Sequence, residues 1–375
     1  MISSDTTKPN SDPYIKTIAM SCPKIKIAII GTGLIGPRHA QAVQEEDEAE
    51  LTCIVDPSPA AEAVAVRLGV PLYRTIRNLI NSNDRPDAAI VCTPNHTHVA
   101  LSEELLDHGI HVLVEKPIST DIVSGQKLIS RPARQNLHLL VGHHRRFNPY
   151  VRAAKSLLEA KSLGRVIAIC GIWGVFKPAS YFEEPTTWRR YAASGGVILI
   201  NLIHEVDILQ YLLGPIIRVH AEGTINQRNF EAEEGAAIIL RFASGVVGTF
   251  ILSDAVTSPW SFEHGTGENP TIPRSGEAFL RILGSDASVS LGDMKRWSYD
   301  EAGPSWTNII QAEDVIIKPD VPFKLQVKHF VNVVRGEEKP VCSAEDGLRA
   351  LIVCEAIKRS ITLGKPINIS DITNT

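Results

Sequence analysis

Residues 25–36 read Ile25-Lys-Ile-Ala-Ile-Ile-Gly31-Thr-Gly33-Leu34-Ile35-Gly36, a short apolar run that breaks into a glycine turn. Glycines in G-x-G-x-x-G spacing, after a strand-like run and before a helix-like one, are what a dinucleotide-binding turn requires. Gly31 permits the tight turn, Gly33 lets backbone approach a pyrophosphate, and Gly36 lets helix and strand pack closely. Pro37 suits the first turn of a helix expected over 37–46, where its missing N–H costs nothing. That helix would present unpaired N–H groups and its positive dipole end to phosphates. Gly31, Gly33, Leu34, Ile35 and Gly36 are therefore expected to hold the cofactor.

Asp56 lies twenty residues after Gly36, at the end of a second apolar run over 51–55. A carboxylate there accepts hydrogen bonds from ribose hydroxyls and repels a 2′-phosphate. The following Pro57-Ser58-Pro59 supplies no cation to receive such a phosphate, so NAD is expected over NADP.

Strand-like and helix-like runs alternate from there. Helices are expected over 59–68, 75–81 and 98–108, and strands over 88–92, 110–114 and 137–141. The strands are continuously apolar, the pattern of a parallel sheet buried on both faces. After residue 146 the pattern changes. Helices are expected over 149–160, 196–213 and 344–363, around strands at 166–173, 217–224, 235–242, 246–254, 277–284 and 287–291. This predicts an α/β Rossmann domain, a doubly wound parallel sheet, followed by an α+β domain with an antiparallel sheet. The expected boundaries are a disordered extension over 1–23, a dinucleotide-binding domain over 24–146 and a second domain over 147–375.

Of the 375 residues, 44% are hydrophobic and 21% charged, with a net charge of -4. That composition suits a globular chain and lacks the basic surface a nucleic-acid partner needs. Cys22, Cys53, Cys92, Cys170, Cys342 and Cys354 form no CxxC pair and no zinc spacing, so no metal site is expected. Reduced thiols point to the cytoplasm. The polar first 24 residues do not read as a secretory signal, and Met20 is a candidate alternative start. No apolar run approaches the roughly 18 residues of a membrane span, so no membrane partner is expected.

Glu115-Lys116-Pro117 follows the strand at 110–114, where ligands of doubly wound sheets bind. A lysine there can hydrogen-bond a substrate hydroxyl and stabilise charge developing on its oxygen. On position alone it can equally be a solvated surface lysine.

Several blocks together resemble the glucose–fructose oxidoreductase / inositol dehydrogenase / MocA family over about residues 24–370. They are the glycine turn with Arg38-His39-Ala40, Thr93-Pro94-Asn95-His96-Thr97-His98, residues 109–117 ending in Glu115-Lys116-Pro117, Arg145-Arg146-Phe147-Asn148-Pro149, Trp188-Arg189-Arg190, and the stretch from Gly195-Gly196 to Asp207. The resemblance implies a two-domain dehydrogenase whose second-domain sheet is open and builds a homodimer or homotetramer. It makes Lys116 the active-site lysine and sets Thr93, Pro94, Asn95 and His96 along the nicotinamide side. His98 and Glu115 join that cofactor set. Trp188 and Arg189 would reach the cofactor from the second domain.

One departure matters. The family places an Asp four residues before the helix histidine; here Ile200 stands there, and Asn201 precedes His204 by three. Asn201 is expected on the same face but cannot take a proton, so His204 is the expected base, with Asp207 orienting its ring. This Asn-Leu-Ile-His form resembles a less characterised branch. His143 and His144 could face the cleft. Trp173, Tyr181 and Trp260 could stack on a sugar ring or serve as core. The loop at 266–270 could reach the site or lie on the surface.

The expected function is NAD(P)-dependent transfer of hydride between nicotinamide and a secondary alcohol or ketone of a small-molecule substrate: a sugar, polyol or similar cyclic hydroxylated compound. His204 would take the hydroxyl proton and Lys116 would polarise the oxygen, with Asn201 as a further contact. Two other readings stay open: redox-neutral, NAD-dependent glycoside cleavage or isomerisation, and a non-catalytic NAD-sensing regulator. Lys116 and His204 argue against the last, because a sensor needs neither.

Overall fold

The computed structural model describes residues 23–130, 137–301 and 303–373; residues 1–22 of the expected extension over 1–23, Cys22 included, lie outside them. The first unit runs β1 (Ile25–Ile30), α1 (Gly36–Gln44), β2 (Ala49–Val55), α2 (Ala61–Leu68), β3 (Leu72–Tyr73), α3 (Ile76–Ile80), β4 (Ala88–Val91), α4 (His98–Asp107), β5 (His111–Val114), α5 (Ile122–Ser130) and β6 (Leu139–Val141). Its sheet has the order β3-β2-β1-β4-β5-β6, parallel throughout. Every residue of β4 is buried, as its unbroken Ala-Ala-Ile-Val reading requires. Strand order reverses between β1 and β4, and such a switch point opens a ligand crevice at the strand carboxyl ends.

Two helix starts differ from expectation for local reasons. α2 begins after Pro59 because Asp56 and Ser58 accept the backbone N–H groups of Ser58 and Ala60, which holds a turn there. α3 begins at Ile76 because the Thr75 side chain accepts the Asn78 N–H as a cap.

The second unit runs α6 (Pro149–Glu159), β7 (Val166–Gly174), a π-helical turn (Ile198–Leu202) continuing into α7 (Ile203–Leu213), β8 (Ile216–Gly223), β9 (Gly235–Phe242), β10 (Val247–Ser253), α8 (Phe262–Thr266), β11 (Leu280–Gly284), β12 (Ala287–Leu291), β13 (Lys295–Tyr299), β14 (Ile310–Asp314), α9 (Pro322–Val334), α10 (Ala344–Leu363) and β15 (Ile367–Asn368). Its nine-stranded sheet has the order β14-β13-β12-β11-β7-β10-β9-β8-β15. β7 and β10 are parallel and the other neighbours antiparallel. β9 alternates strictly, with Ala236, Ile238, Leu240 and Phe242 inward and Ala237, Ile239 and Arg241 outward.

β13, β14 and α9 extend the expected element set. β14 is exposed along its whole length and carries no apolar pattern to read. α9 does carry one: its Phe323, Val327, Phe330, Val331 and Val333 pack with Ile27, Ile29, Val43, Ala88 and Ile90. A helix from late in the chain therefore covers one face of the first sheet. α10 is started by a reciprocal cap between Ser343 and Asp346 and also returns to that sheet. A Cβ on its Gly347 would lie 2.5 Å from Val141 Cγ2, so the helix approaches β6 as closely as backbone allows.

Phe330→Ala removes a fully buried ring from the α9 contact and is expected to cost about 3–5 kcal/mol. Urea unfolding measures this; a cost near zero would show that α9 is not integral to the first core.

Candidate active site

The glycine turn meets its expected geometry, with a different reason at each position. Gly31 has φ +92°, and a Cβ there would press to 2.8 Å from Thr93 Cγ2. A Cβ on Gly36 would lie 2.2 Å from the Gly31 carbonyl oxygen, so turn and helix pack only through glycine. Gly33 is the informative one: a Cβ there meets nothing within 4 Å. The chain itself leaves that space open, which fits a dinucleotide phosphate laid against the backbone.

The turn forms one wall of a cleft of about 1040 Å³. Gly31, Gly33, Leu34, Ile35, Asp56, Thr93, Pro94, Asn95, His98, Glu115 and Lys116 all line it, as does His204 from the second unit. Gly36 lies beneath the turn, His96 is exposed outside the lining, and Trp188 and Arg189 are elsewhere. The Arg189 guanidinium lies 3.7 Å from the Tyr181 ring centroid and donates to the Tyr181 carbonyl at 2.8 Å. Within this chain that contact, and not the cofactor cleft, takes the side chain.

At one end of the cleft, Asp56 is held by the protein's own donors. Its Oδ2 accepts from Thr32 N and Thr32 Oγ1, both at 2.7 Å, and its Oδ1 accepts from Ser58 N at 2.8 Å. The sequence reading found no cation beside Asp56, but the fold supplies one. Arg74 lines this end, donates to the Ser58 carbonyl at 2.8 Å and pairs with Glu62 at 2.5 Å. Eighteen residues separate Arg74 from Asp56, so no local spacing announces it.

At the other end, Glu115 Oε1 shares a 2.7 Å hydrogen bond with His39 Nε2. Burial raises the Glu115 carboxyl, but that bond and the charges of His39, His144 and Lys116 outweigh it and hold the group at about 2. His98 braces the two loops, with Nδ1 2.7 Å from the Pro117 carbonyl and Nε2 2.8 Å from the Thr93 carbonyl. Lys116 Nζ crosses to the second unit and donates to the Ile200 carbonyl at 3.3 Å. Burial lowers the Lys116 ammonium, with Arg145 adding to the shift and Glu115 opposing it.

His204 is buried, and its Nδ1 has no hydrogen-bond partner. Burial, then the charges of Lys116, Arg145, His144 and His143, push it well below its ordinary value, so the imidazole is neutral at pH 7. Asp207 does not orient it. Arg146 holds the Asp207 carboxylate through Nη2 at 2.6 Å and Nε at 2.9 Å, and the nearest histidine is His143, at 3.7 Å. His144 lines the cleft and reaches Glu268 at 3.1 Å, whereas His143 is buried behind it.

Asn201 sits on the π-helical turn, and its Oδ1 accepts from Lys177 Nζ at 2.6 Å. Burial pushes Lys177 down to about 8, with Asp254 opposing. The sequence reading missed Lys177 because it lies in the loop at 176–191 with no motif around it. Trp173 is core, its Nε1 donating to Glu263 at 2.8 Å. Five cysteines are free thiols, Cys170 exposed and the others buried. Among the described residues no cluster could hold a metal ion, and no helix is long and apolar enough to cross a membrane.

A carboxylate held below its ordinary 4.5 stabilises the fold fully above about pH 4.5, and that stability is lost as pH falls toward 2. Glu268, paired with His144 and Arg145 against its own burial, is likewise held at about 2. Glu115→Gln and Glu268→Gln should each flatten the acid limb between pH 4.5 and 2, removing on the order of 3 kcal/mol at neutral pH. Urea unfolding across a pH series measures this, and an unaltered acid limb in both variants contradicts it.

Comparison with known proteins agrees with this architecture. A profile described as the oxidoreductase family with NAD-binding Rossmann fold matches residues 25–143, and its C-terminal alpha/beta domain counterpart matches 155–369. Inositol 2-dehydrogenase of Rhizobium meliloti (strain 1021) is 25% identical over 356 residues, covering 92% of this chain and 99% of that protein. The scyllo-inositol 2-dehydrogenase (NAD(+)) of Bacillus subtilis (strain 168) is 25% identical over 353 residues, covering 92% and 96%. A crystal structure of a putative NADPH-dependent oxidoreductase from Desulfitobacterium hafniense superposes with a TM-score of 0.80 at 20% identity, covering 94% and 99%. With both domains matched, the chain belongs to the glucose–fructose oxidoreductase / inositol dehydrogenase / MocA family of NAD-binding oxidoreductases.

Proposed function

We propose that the chain oxidises, reversibly, a secondary alcohol of a sugar, polyol or related cyclic hydroxylated compound. The observation that carries this reading is the approach of Lys116 and His204, from two different units, within the cleft that holds the glycine turn. Bound NAD supplies the hydride acceptor. The glycine turn and the N-terminus of α1 hold its phosphates, Asp56 its ribose, and Thr93 to Asn95 its nicotinamide end. Neutral His204 accepts the hydroxyl proton, and the Lys116 ammonium donates to the same oxygen as its charge grows. Domain closure around the cleft orients the reactants and excludes water. The relatives named for inositol oxidation support the substrate class.

NAD is preferred over NADP because the fixed Asp56 carboxylate meets the adenosine ribose. Arg74, beside it, is paired with Glu62. Residues 24–146 form the cofactor-binding part and 147–375 the substrate-binding and assembly part. The chain forms a homodimer or homotetramer through the outer face of its larger sheet. That face exposes Ile239 (54%), Ile251 (46%) and Val247 (42%) on the adjacent strands β9 and β10, which supports an interface there. The free thiols suit the cytoplasm.

Lys116→Ala is expected to lower turnover by at least about 100-fold while NADH still binds. A panel of sugars, polyols and cyclic acids with NAD and NADP, read as reduced-nicotinamide absorbance, supplies the assay; full activity in the variant overturns the mechanism. Ile239→Asp with Ile251→Asp should convert the assembly to monomer in light scattering, and an unchanged mass would exclude this face.

A further inference from the structure

Two histidines at the reacting end of the cleft leave complementary atoms unused. His204 lines the cleft, and its Nδ1 is sealed inside with no hydrogen-bond partner. To accept a proton at Nε2, its neutral ring must carry its own proton on Nδ1. That atom is therefore an unused donor. His144 also lines the cleft, and its Nε2 lies 3.1 Å from Glu268 Oε1. Against its own burial, Glu268 is held ionised at about 2 by His144, Arg145 and Asn148. A carboxylate only accepts, so the neutral His144 ring carries its proton on Nε2. Its Nδ1, equally sealed and without a partner, is therefore an unused acceptor. The two rings meet at 72° with centroids 5.5 Å apart, close enough for a proton to pass directly or across one water.

The surroundings of the two rings differ. Beyond burial, Lys116 and Arg145 oppose positive charge on His204. His144 has Glu268 as a direct partner, although Arg145 shares the same oxygen at 3.3 Å, and Glu115 acts on it as a second carboxylate. Its ring stacks on Phe323 with centroids 4.4 Å apart and planes at 19°, which fixes it in place. A proton taken by His204 is thus better held one ring further on. His143 offers no such place, because Asp207, 3.7 Å from it, is taken by Arg146.

We propose that His144, paired with Glu268, stores the substrate proton during turnover. This rests on the dehydrogenase reading. As hydride leaves the alcohol carbon for the cofactor, the O–H bond breaks and its proton bonds to His204 Nε2. The Nδ1 proton of His204 passes to His144 Nδ1, so His204 stays neutral and His144 becomes an imidazolium held by Glu268. When the product leaves, His144 returns its proton to His204 Nδ1, and His204 Nε2 gives its own to water in the cleft. Ketone reduction runs the same transfers in reverse.

The test uses the full chain with NAD and the panel of sugars and polyols. His144→Phe keeps a ring on Phe323 but stores no proton. It should lower kcat for oxidation by about tenfold or more, with KM and NADH affinity unchanged. Wild-type kcat should fall toward acid pH as the store fills before turnover, at a pH set by the facing Glu268, Arg145, Glu115 and His204; the variant should lose that limb. Added imidazole should restore part of the activity of His144→Ala and none of that of His144→Phe. Nitrogen NMR of labelled histidines in the NADH-loaded wild type should find His144 protonated on Nε2 and His204 on Nδ1 above neutral pH. Unchanged kcat with an unchanged acid limb in His144→Phe overturns the proposal and leaves the dehydrogenase reading standing. The opposite tautomer on either ring does the same. Loss of NADH binding in both variants assigns His144 to structure and also overturns it. Absence of turnover with every alcohol and ketone removes both readings.

Discussion

Arg145 and Arg146 are 5% and 4% exposed, and each guanidinium is paired with carboxylates. Arg145 meets Glu205 on α7, Glu263 on α8 and Glu268 beyond it. Arg146 meets Asp207 on α7 and Asp346 on α10. Buried charge is tolerated only with partners, and breaking one such pair costs about 3–5 kcal/mol. The two arginines follow closely after β6, the last strand of the cofactor sheet. They therefore fix α7 against the carboxyl end of that sheet, in height and in rotation. His204 directly precedes the first of the two clamped carboxylates of α7, so its position at the cleft follows from theirs.

The same clamp sets the electrostatics. Three carboxylates share Arg145, and burial raises Glu205 to about 8 even against that charge. Glu268, better supplied with partners, stays ionised. The cleft side of the cluster carries Lys116 and the Arg145 guanidinium near His204, and both resist a second positive charge there. A neutral imidazole is the form a proton acceptor requires. Burial alone would disfavour the Lys116 ammonium, and Glu115 opposes that. Glu115 is in turn kept ionised through His39, on the helix that the glycine turn opens. Cofactor turn and reacting end are thus coupled through one buried histidine–carboxylate pair.

What the sequence makes legible is whatever depends on neighbours in the chain. Gly31, Gly36, Asp56 and Lys116 act where a strand ends, and strand ends show as apolar runs stopping. Arg74 and Lys177 act through contacts with residues far away, and nothing in their surroundings marks them; Glu268 lies in the loop at 266–270 that the sequence marks, but its partners His144 and Arg145 are more than 120 residues away. Asp207 shows the opposite failure. Its i+3 spacing from His204 fits a ring partner, yet a guanidinium from 61 residues earlier takes the carboxylate. A full charge with two donors outcompetes a neutral ring. Trp173 follows the core reading: it is buried and its N–H serves a buried carboxylate. α9 carries a plain apolar periodicity, so its existence was legible. That it covers the first sheet was not, because some 200 residues of chain intervene.

The glycine turn and the helix of His204 therefore carry different kinds of information. The turn is constrained by backbone: at Gly31 and Gly36 any side chain collides with the protein itself. The π-helical turn before α7 is constrained by polarity. Its Ile200 carbonyl holds one lysine and its Asn201 side chain another, from opposite units of the molecule. Backbone collisions therefore shape the glycine turn, and hydrogen bonds from two lysines shape the turn before α7.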